Sequence, residues 1–143
     1  MTNKLRVVID TNVMFEGLTK KGTAPALIIE AWLTGLIEVC ASNSLMYEYE
    51  DVLYRKLSSP RWQSIQPILK GLLQKLTFTV IYYSWRPTSP DPGDDLVIDC
   101  AMNADAAIVT SNLRDFQGAK ISLGVQVLTP VQLIIQLSSG VES

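Results

Sequence analysis

Two short runs along the chain are mostly apolar, without a regular polar alternation: LRVVI at 5–9, where Arg6 is the one polar residue, and AAIV at 106–109. Each breaks off into small polar groups. Asp10, Thr11 and Asn12 follow the first; Thr110, Ser111 and Asn112 follow the second. Unbroken apolar runs rich in β-branched residues are what strands covered on both faces look like. IEVCAS (37–42), FTVIYY (78–83) and VQVL (125–128) read as further strands. Between them the period becomes helical. Thr23-Ala24-Pro25 opens a helix that runs through APALIIEAWLT to Gly35, with a cap residue, then Pro, then Gly at the far end. Asn43-Ser44 caps a second helix that puts Leu45, Met46, Tyr49, Val52, Leu53 and Leu57 on one face and stops before Pro60. A third helix is expected over 65–76, with Pro67 near its start. SWRPTSPDPG (84–93) is turn-rich. Asp94 or Asp95 caps a short helix in DDLVIDCAMNA, and Thr129-Pro130 opens a last one, PVQLIIQL. Strands and helices alternate, which predicts an α/β fold with a largely parallel sheet.

At 143 residues the chain suits one domain, with its core over about 5–137. Apolar residues are 48% and charged residues 18%, ordinary for a globular chain. No apolar run nears the ~20 residues of a membrane helix. The N-terminus meets an acid where a signal peptide would stay apolar, so a cytoplasmic protein is expected. Cys40 and Cys100 form no CxxC pair and read as buried thiols.

Histidine is absent, and this narrows the chemistry. Ser-His-Asp and Cys-His catalysis are excluded, as are His-based zinc sites. A catalytic metal would need oxygen ligands, which points to Mg²⁺ or Mn²⁺. The net charge of −2 advertises no global affinity for nucleic acid, but the charges are segregated. Residues 87–119 carry Asp91, Asp94, Asp95, Asp99, Asp105 and Asp115 against Arg114 alone. Residues 52–86 carry Arg55, Lys56, Arg61, Lys70, Lys75 and Arg86 and no acid. A metal centre beside a phosphate-binding flank would look like this, and so would two solvated helix faces.

Ligands of open α/β sheets bind outside the carboxyl ends of the strands. Both buried-type strands place polar groups there: Asp10 and Asn12 after one, Asn112 and Asp115 after the other. Each residue alone has a structural explanation, as a helix cap or a loop acid. Together, several carboxylates at one sheet edge would repel one another and recruit a cation. A divalent ion polarises a phosphoryl oxygen and activates water without histidine. The helix at 44–58 offers Glu48, Glu50 and Asp51. Asp51 lies opposite the apolar face, whereas Glu48 and Glu50 flank it on opposite sides, and helix geometry does not choose between them.

VIDTN, SNSLMYEYEDVL and DPGDDLVIDCAMNADAAIVTSNLRDF resemble, in that order and spacing, the PIN-domain nucleases. The likeness is strongest to the branch of toxin components of toxin–antitoxin systems, and it runs from about residue 5 to residue 137. The resemblance implies a three-layer α/β/α domain around a central, largely parallel sheet. It also implies a few acids that bind Mg²⁺ or Mn²⁺ and hydrolyse RNA, leaving 5′-phosphate and 3′-hydroxyl ends. Carried over by position, the catalytic acids are Asp10, Glu48, Asp94 and Asp115, with Asp10, Asp94 and Asp115 on the metal and Glu48 a ligand or water-positioning group. Asp95 is the alternative to Asp94, and Asp91 or Asp99 would support from further out. Thr11, Asn12, Thr110 and Ser111 match small polar residues that orient acids or water. Asn112 stands where many members carry Asp or Asn, and TSN departs from the more frequent T-G-D. Arg55, Lys56, Arg61 and Arg86 are the expected RNA contacts. By the same analogy a small antitoxin binds the protein, which forms a homodimer. Trp62, Tyr82, Tyr83 and Trp85 suit such interfaces, while Trp32 belongs to the core.

The competing expectation is a PIN-like module that binds RNA or protein without catalysis, its acids serving as caps. Other aspartate chemistries fit less well. A haloacid-dehalogenase-type phosphatase needs D-x-D where Asn12 stands, and a receiver domain needs an acidic pair and a late lysine. No G-x-G-x-x-G follows the first strand to bind a dinucleotide.

Overall fold

The computed structural model describes residues 4–84 and 92–140. Among the described residues five strands are each followed by one or two of seven helices: β1 (Leu5–Ile9), α1 (Thr11–Thr19), α2 (Ala24–Thr34), β2 (Ile37–Ala41), α3 (Asn43–Lys56), α4 (Ser59–Leu73), β3 (Thr77–Phe78), α5 (Pro92–Ala104), β4 (Ala107–Val109), α6 (Leu113–Leu123), β5 (Val127–Leu128) and α7 (Pro130–Gly140). The strands form one sheet of order β3-β2-β1-β4-β5, every pair parallel. β1 is central. Val7 is in register with Val39 of β2 and Ala107 of β4, and Ile9 with Val109. Val7, Val8, Ile9, Ile108 and Val109 have no exposed surface, which is why these strands lack a polar alternation.

The chain leaves β1 toward β2 and β3, then crosses back to lay β4 on the other side of β1. The strand order therefore reverses between β1 and β4. At such a point two connections depart in opposite directions and leave a crevice outside the strand ends. Asp10 and the segment Thr110–Asn112 stand at this crevice because they terminate those two strands.

Several expected boundaries shift for local reasons. The cap of α3 is Ser42, whose hydroxyl accepts the Leu45 amide, one residue before the expected Asn43-Ser44. α4 begins at Ser59 rather than 65: Ser58 caps it and Pro60 occupies its first turn, so Pro60 starts a helix instead of only ending one. Pro67 sits inside that helix. Of FTVIYY only Phe78 is in β3; the Thr79 amide still bonds the Ala41 carbonyl, and Tyr82 and Tyr83 are held instead by the Asn103 side chain. α5 starts at Pro92, which makes Asp94 and Asp95 first-turn residues rather than caps. α1 and α6 were not anticipated from the sequence pattern. Most of the turn-rich stretch 84–93, with Trp85, Arg86 and Asp91, lies outside the described residues.

Candidate active site

The end of β1 turns directly into α1. The Asp10 amide closes the ladder on the Val109 carbonyl (2.9 Å), and its carbonyl accepts the first helical bond, from Met14 (3.1 Å). Asp10 is thus the N-cap residue by position, yet its side chain makes no cap hydrogen bond. Its carboxylate instead accepts the Thr110 hydroxyl from the neighbouring strand end (2.8 Å). The Thr110 oxygen is in turn bonded by the Asn112 amide (3.0 Å), which leaves its proton to point at Asp10. The carboxylate also accepts the Thr11 amide at the start of α1, so it joins the helix end to the neighbouring strand end rather than serving the helix alone.

Asp10 is only 6% exposed. Burial pushes its pKa above the usual carboxylate value; bonds from Thr110 and the Thr11 amide pull it down, and the charges of Glu48 and Asp115 push it up again. Asp10 therefore feels two of the other three expected catalytic acids. Glu48 reaches the site from α3 and accepts the Thr11 hydroxyl (2.8 Å). Glu50 is exposed, so the fold makes the choice that helix geometry left open. Asp115, in the first turn of α6, accepts the Asn112 side-chain amide (2.6 Å). An amide at position 112 is what allows this contact; a carboxylate there would repel.

Tyr49 locks the arrangement from behind. It is fully buried, and its hydroxyl donates to the Ile9 carbonyl immediately before Asp10. Burial raises its pKa well above the ordinary value, so the phenol stays a donor. Sequence reading assigned Tyr49 to the core face of α3 and missed this bond, because nothing local reveals where its hydroxyl ends.

A cleft of about 210 Å³ opens over these residues, lined by Asp10, Asn12, Phe15, Glu16, Lys20, Ser111 and Asn112. Phe15, Glu16 and Lys20 were not anticipated. Their signal exists once α1 is recognised: Asn12, Phe15 and Glu16 fall at i, i+3 and i+4 on one helix face, and Lys20 follows as the extended residue after the helix.

Asp94, Asp95 and Asp99 are all buried on α5 (8%, 6% and 2% exposed). Burial does not separate Asp94 from Asp95. Among the described residues no three acidic or thiol side chains gather at metal-binding spacing. The oxygen-only donor set still suits a hard divalent cation, and the mutual repulsion around buried Asp10 is what such an ion would relieve.

The expected RNA contacts diverge. Arg55 is paired with Asp51 (2.8 Å). Lys56 lies 5.4 Å above the Phe15 ring, and Arg61 donates to the Thr19 carbonyl (3.1 Å). Arg86 is outside the described residues. Trp32 is core, 2% exposed, and Trp62 packs edge-on against Tyr54. Cys40 and Cys100 are buried free thiols; burial raises both, Cys100 to about 11, which favours the protonated thiol at neutral pH. Among the described residues no helix is long and apolar enough to cross a membrane.

The fold is similar to that of VapBC2 from Rickettsia felis, at 14% identity and TM-score 0.65, over 87% of this chain and 98% of that one. It is similar to FitAcB from Neisseria gonorrhoeae at 20% identity and TM-score 0.60, over 87% and 97%. PAE2754 from Pyrobaculum aerophilum matches at 12% identity and TM-score 0.60, over 94% and 90%. No curated protein matches the chain by sequence. The PIN domain model matches residues 6–114, a span from β1 into α6 that contains Asp10, Glu48, Asp94 and Asp95 and ends one residue before Asp115. The chain belongs to the PIN domain family.

Proposed function

We propose that this protein is a metal-dependent endoribonuclease, the toxin of a toxin–antitoxin pair. The observation that carries the reading is the Asp10 carboxylate, buried at the β1–β4 crevice and facing the charges of Glu48 and Asp115. Asp10 and Asp115, with Asp94 or Asp95, would hold Mg²⁺ or Mn²⁺. Bound there, the ion supplies positive charge to a phosphodiester and lowers the pKa of water. The chain's own groups do the rest. Thr110 fixes the Asp10 carboxylate through its hydroxyl, and Thr11 fixes Glu48 for water positioning. Asn112 orients Asp115, while Asn12 and Ser111 line the cleft where the strand would lie. Likeness in fold to VapBC2 and FitAcB supports the toxin role and a small antitoxin partner, and family analogy suggests a homodimer.

The test is cleavage of labelled single-stranded RNA by purified protein, with Mg²⁺ or Mn²⁺ against EDTA and Asp10→Asn alongside. Cleavage should require the ion and fall at least ~100-fold in the variant, the order of effect of one essential group. Turnover unchanged by Asp10→Asn would sink the assignment. A second reading, a silent PIN-like module that binds RNA or protein, is favoured by one observation: no three acids stand at ligand spacing among the described residues. It predicts no cleavage with any ion and no metal-induced rise in melting temperature.

A further inference from the structure

Four cations of this acidic chain collect along the C-terminal half of α1 and just beyond it. Lys20 lines the acid cleft, and it also lines a larger groove on the other side of the same ridge, together with Lys21 and Arg61. Lys56 is held over the ring of Phe15, itself a wall of the cleft. Arg61 is held on the Thr19 carbonyl. Phe15 and Thr19 are four residues apart on α1, about 6 Å along its axis. Lys56 and Arg61 are therefore spaced along the helix, with Lys20 beside them. No ion pair among the described residues takes up Lys20, Lys21, Lys56 or Arg61, whereas Arg55 on the same surface is paired with Asp51. Asp10 enters α1 at its opposite, N-terminal end, while Glu16 shares the cleft and Glu30 the larger groove with these cations.

We infer that α1 is a polarity ruler for a single-stranded RNA. The scissile phosphodiester lies at its acidic N-terminal end, and the neighbouring phosphates run along it to Lys20 and Lys56. This rests on the ribonuclease reading of the acid cleft. A track of this kind gives an acidic protein its affinity locally, because phosphate neutralisation and counterion release depend on nearby cations rather than on net charge. The competing role is structural: cations near a helix C-terminus stabilise its free carbonyls. Arg61 does that visibly, since it bonds one of them. Lys20 and Lys56 make no such bond among the described residues, so they are the two to test.

The experiment compares wild type, Lys20→Gln, Lys56→Gln and Lys75→Gln, the last on the far side of the molecule before β3. KM, kcat and melting temperature are read for labelled single-stranded RNA across a salt series. Lys20→Gln and Lys56→Gln should each raise KM with kcat little changed, and each should flatten the log–log salt dependence by about 0.7. Melting should be unaltered, and Lys75→Gln should behave as wild type. If wild type cleaves and both cleft variants keep its KM and salt slope, the ruler is wrong while the nuclease stands. A fall in melting temperature with unchanged KM would assign the lysines to helix stabilisation and overturn the ruler. A wild type that neither binds nor cleaves RNA would overturn both.

Discussion

Asp10 shows how one residue position carries opposed demands. Its folded pKa is raised above the unfolded value by burial and by two like charges. The protonated form is therefore the stabilised one. The contribution is fully present below the unfolded value of 3.8 and is lost as pH rises through the folded value, so at neutral pH the metal-free site costs stability. Asp10→Asn in EDTA should then melt above wild type at pH 7, with the gap closing as pH falls toward 4. Thermal melts at both pH values check this, and an equal or lower melting point at pH 7 would contradict the burial argument. Tyr49→Phe asks a different question. The ring keeps its volume, but the Ile9 carbonyl loses its buried donor. Stranding a buried acceptor costs about 1–3 kcal/mol, measurable by urea unfolding, and cleavage should slow because Asp10 follows directly on that carbonyl.

At the scale of elements, α1 is set by a close approach. A Cβ on Gly17 would stand 2.5 Å from Cγ1 of Ile29 and 2.7 Å from the Pro25 carbonyl oxygen, so α1 lies directly on α2. Gly17→Ala should cost about 1–3 kcal/mol by overpacking, against the small gain expected of Ala in an open helix position. A neutral or stabilising result in denaturant unfolding would mean that the two helices part easily. Helix ends and faces were legible where the signal is local: Thr23 and Gly35 bound α2 as their types predict, and the apolar face of α3 is the buried one. Pro60 misled because proline both ends helices and begins them. FTVIYY has the composition of a full strand, but the edge strand β3 beside β2 spans only Thr77 and Phe78, so FTVIYY supplies one residue of it.

At the scale of the molecule, the site is a charge problem that folding creates and an ion would solve. Because ligands held apart by repulsion in the native state are better bound together, Mg²⁺ or Mn²⁺ should raise the melting temperature of wild type. Stabilisation would reach about 2.7 kcal/mol at a hundredfold excess over Kd, and both EDTA and Asp10→Asn should abolish it. Calorimetry with and without EDTA reads this directly, and a metal-insensitive melt would favour the silent module.

The α/β class, the parallel sheet, the two buried strands and the polar residues ending them were determined by the sequence alone, because buried strands and helix caps are written in neighbouring residues. Motif order and spacing also placed the chain among PIN domains. What tertiary structure decided was which distant groups meet. Strand order reversing between β1 and β4 turned Asp10 and Thr110 toward each other across 100 residues. The crossing of α3 chose Glu48 over Glu50, and the lie of α1 brought Phe15, Glu16 and Lys20 to the acids. These are long-range contacts, and periodicity reports only which face of an element is apolar, not what stands opposite it.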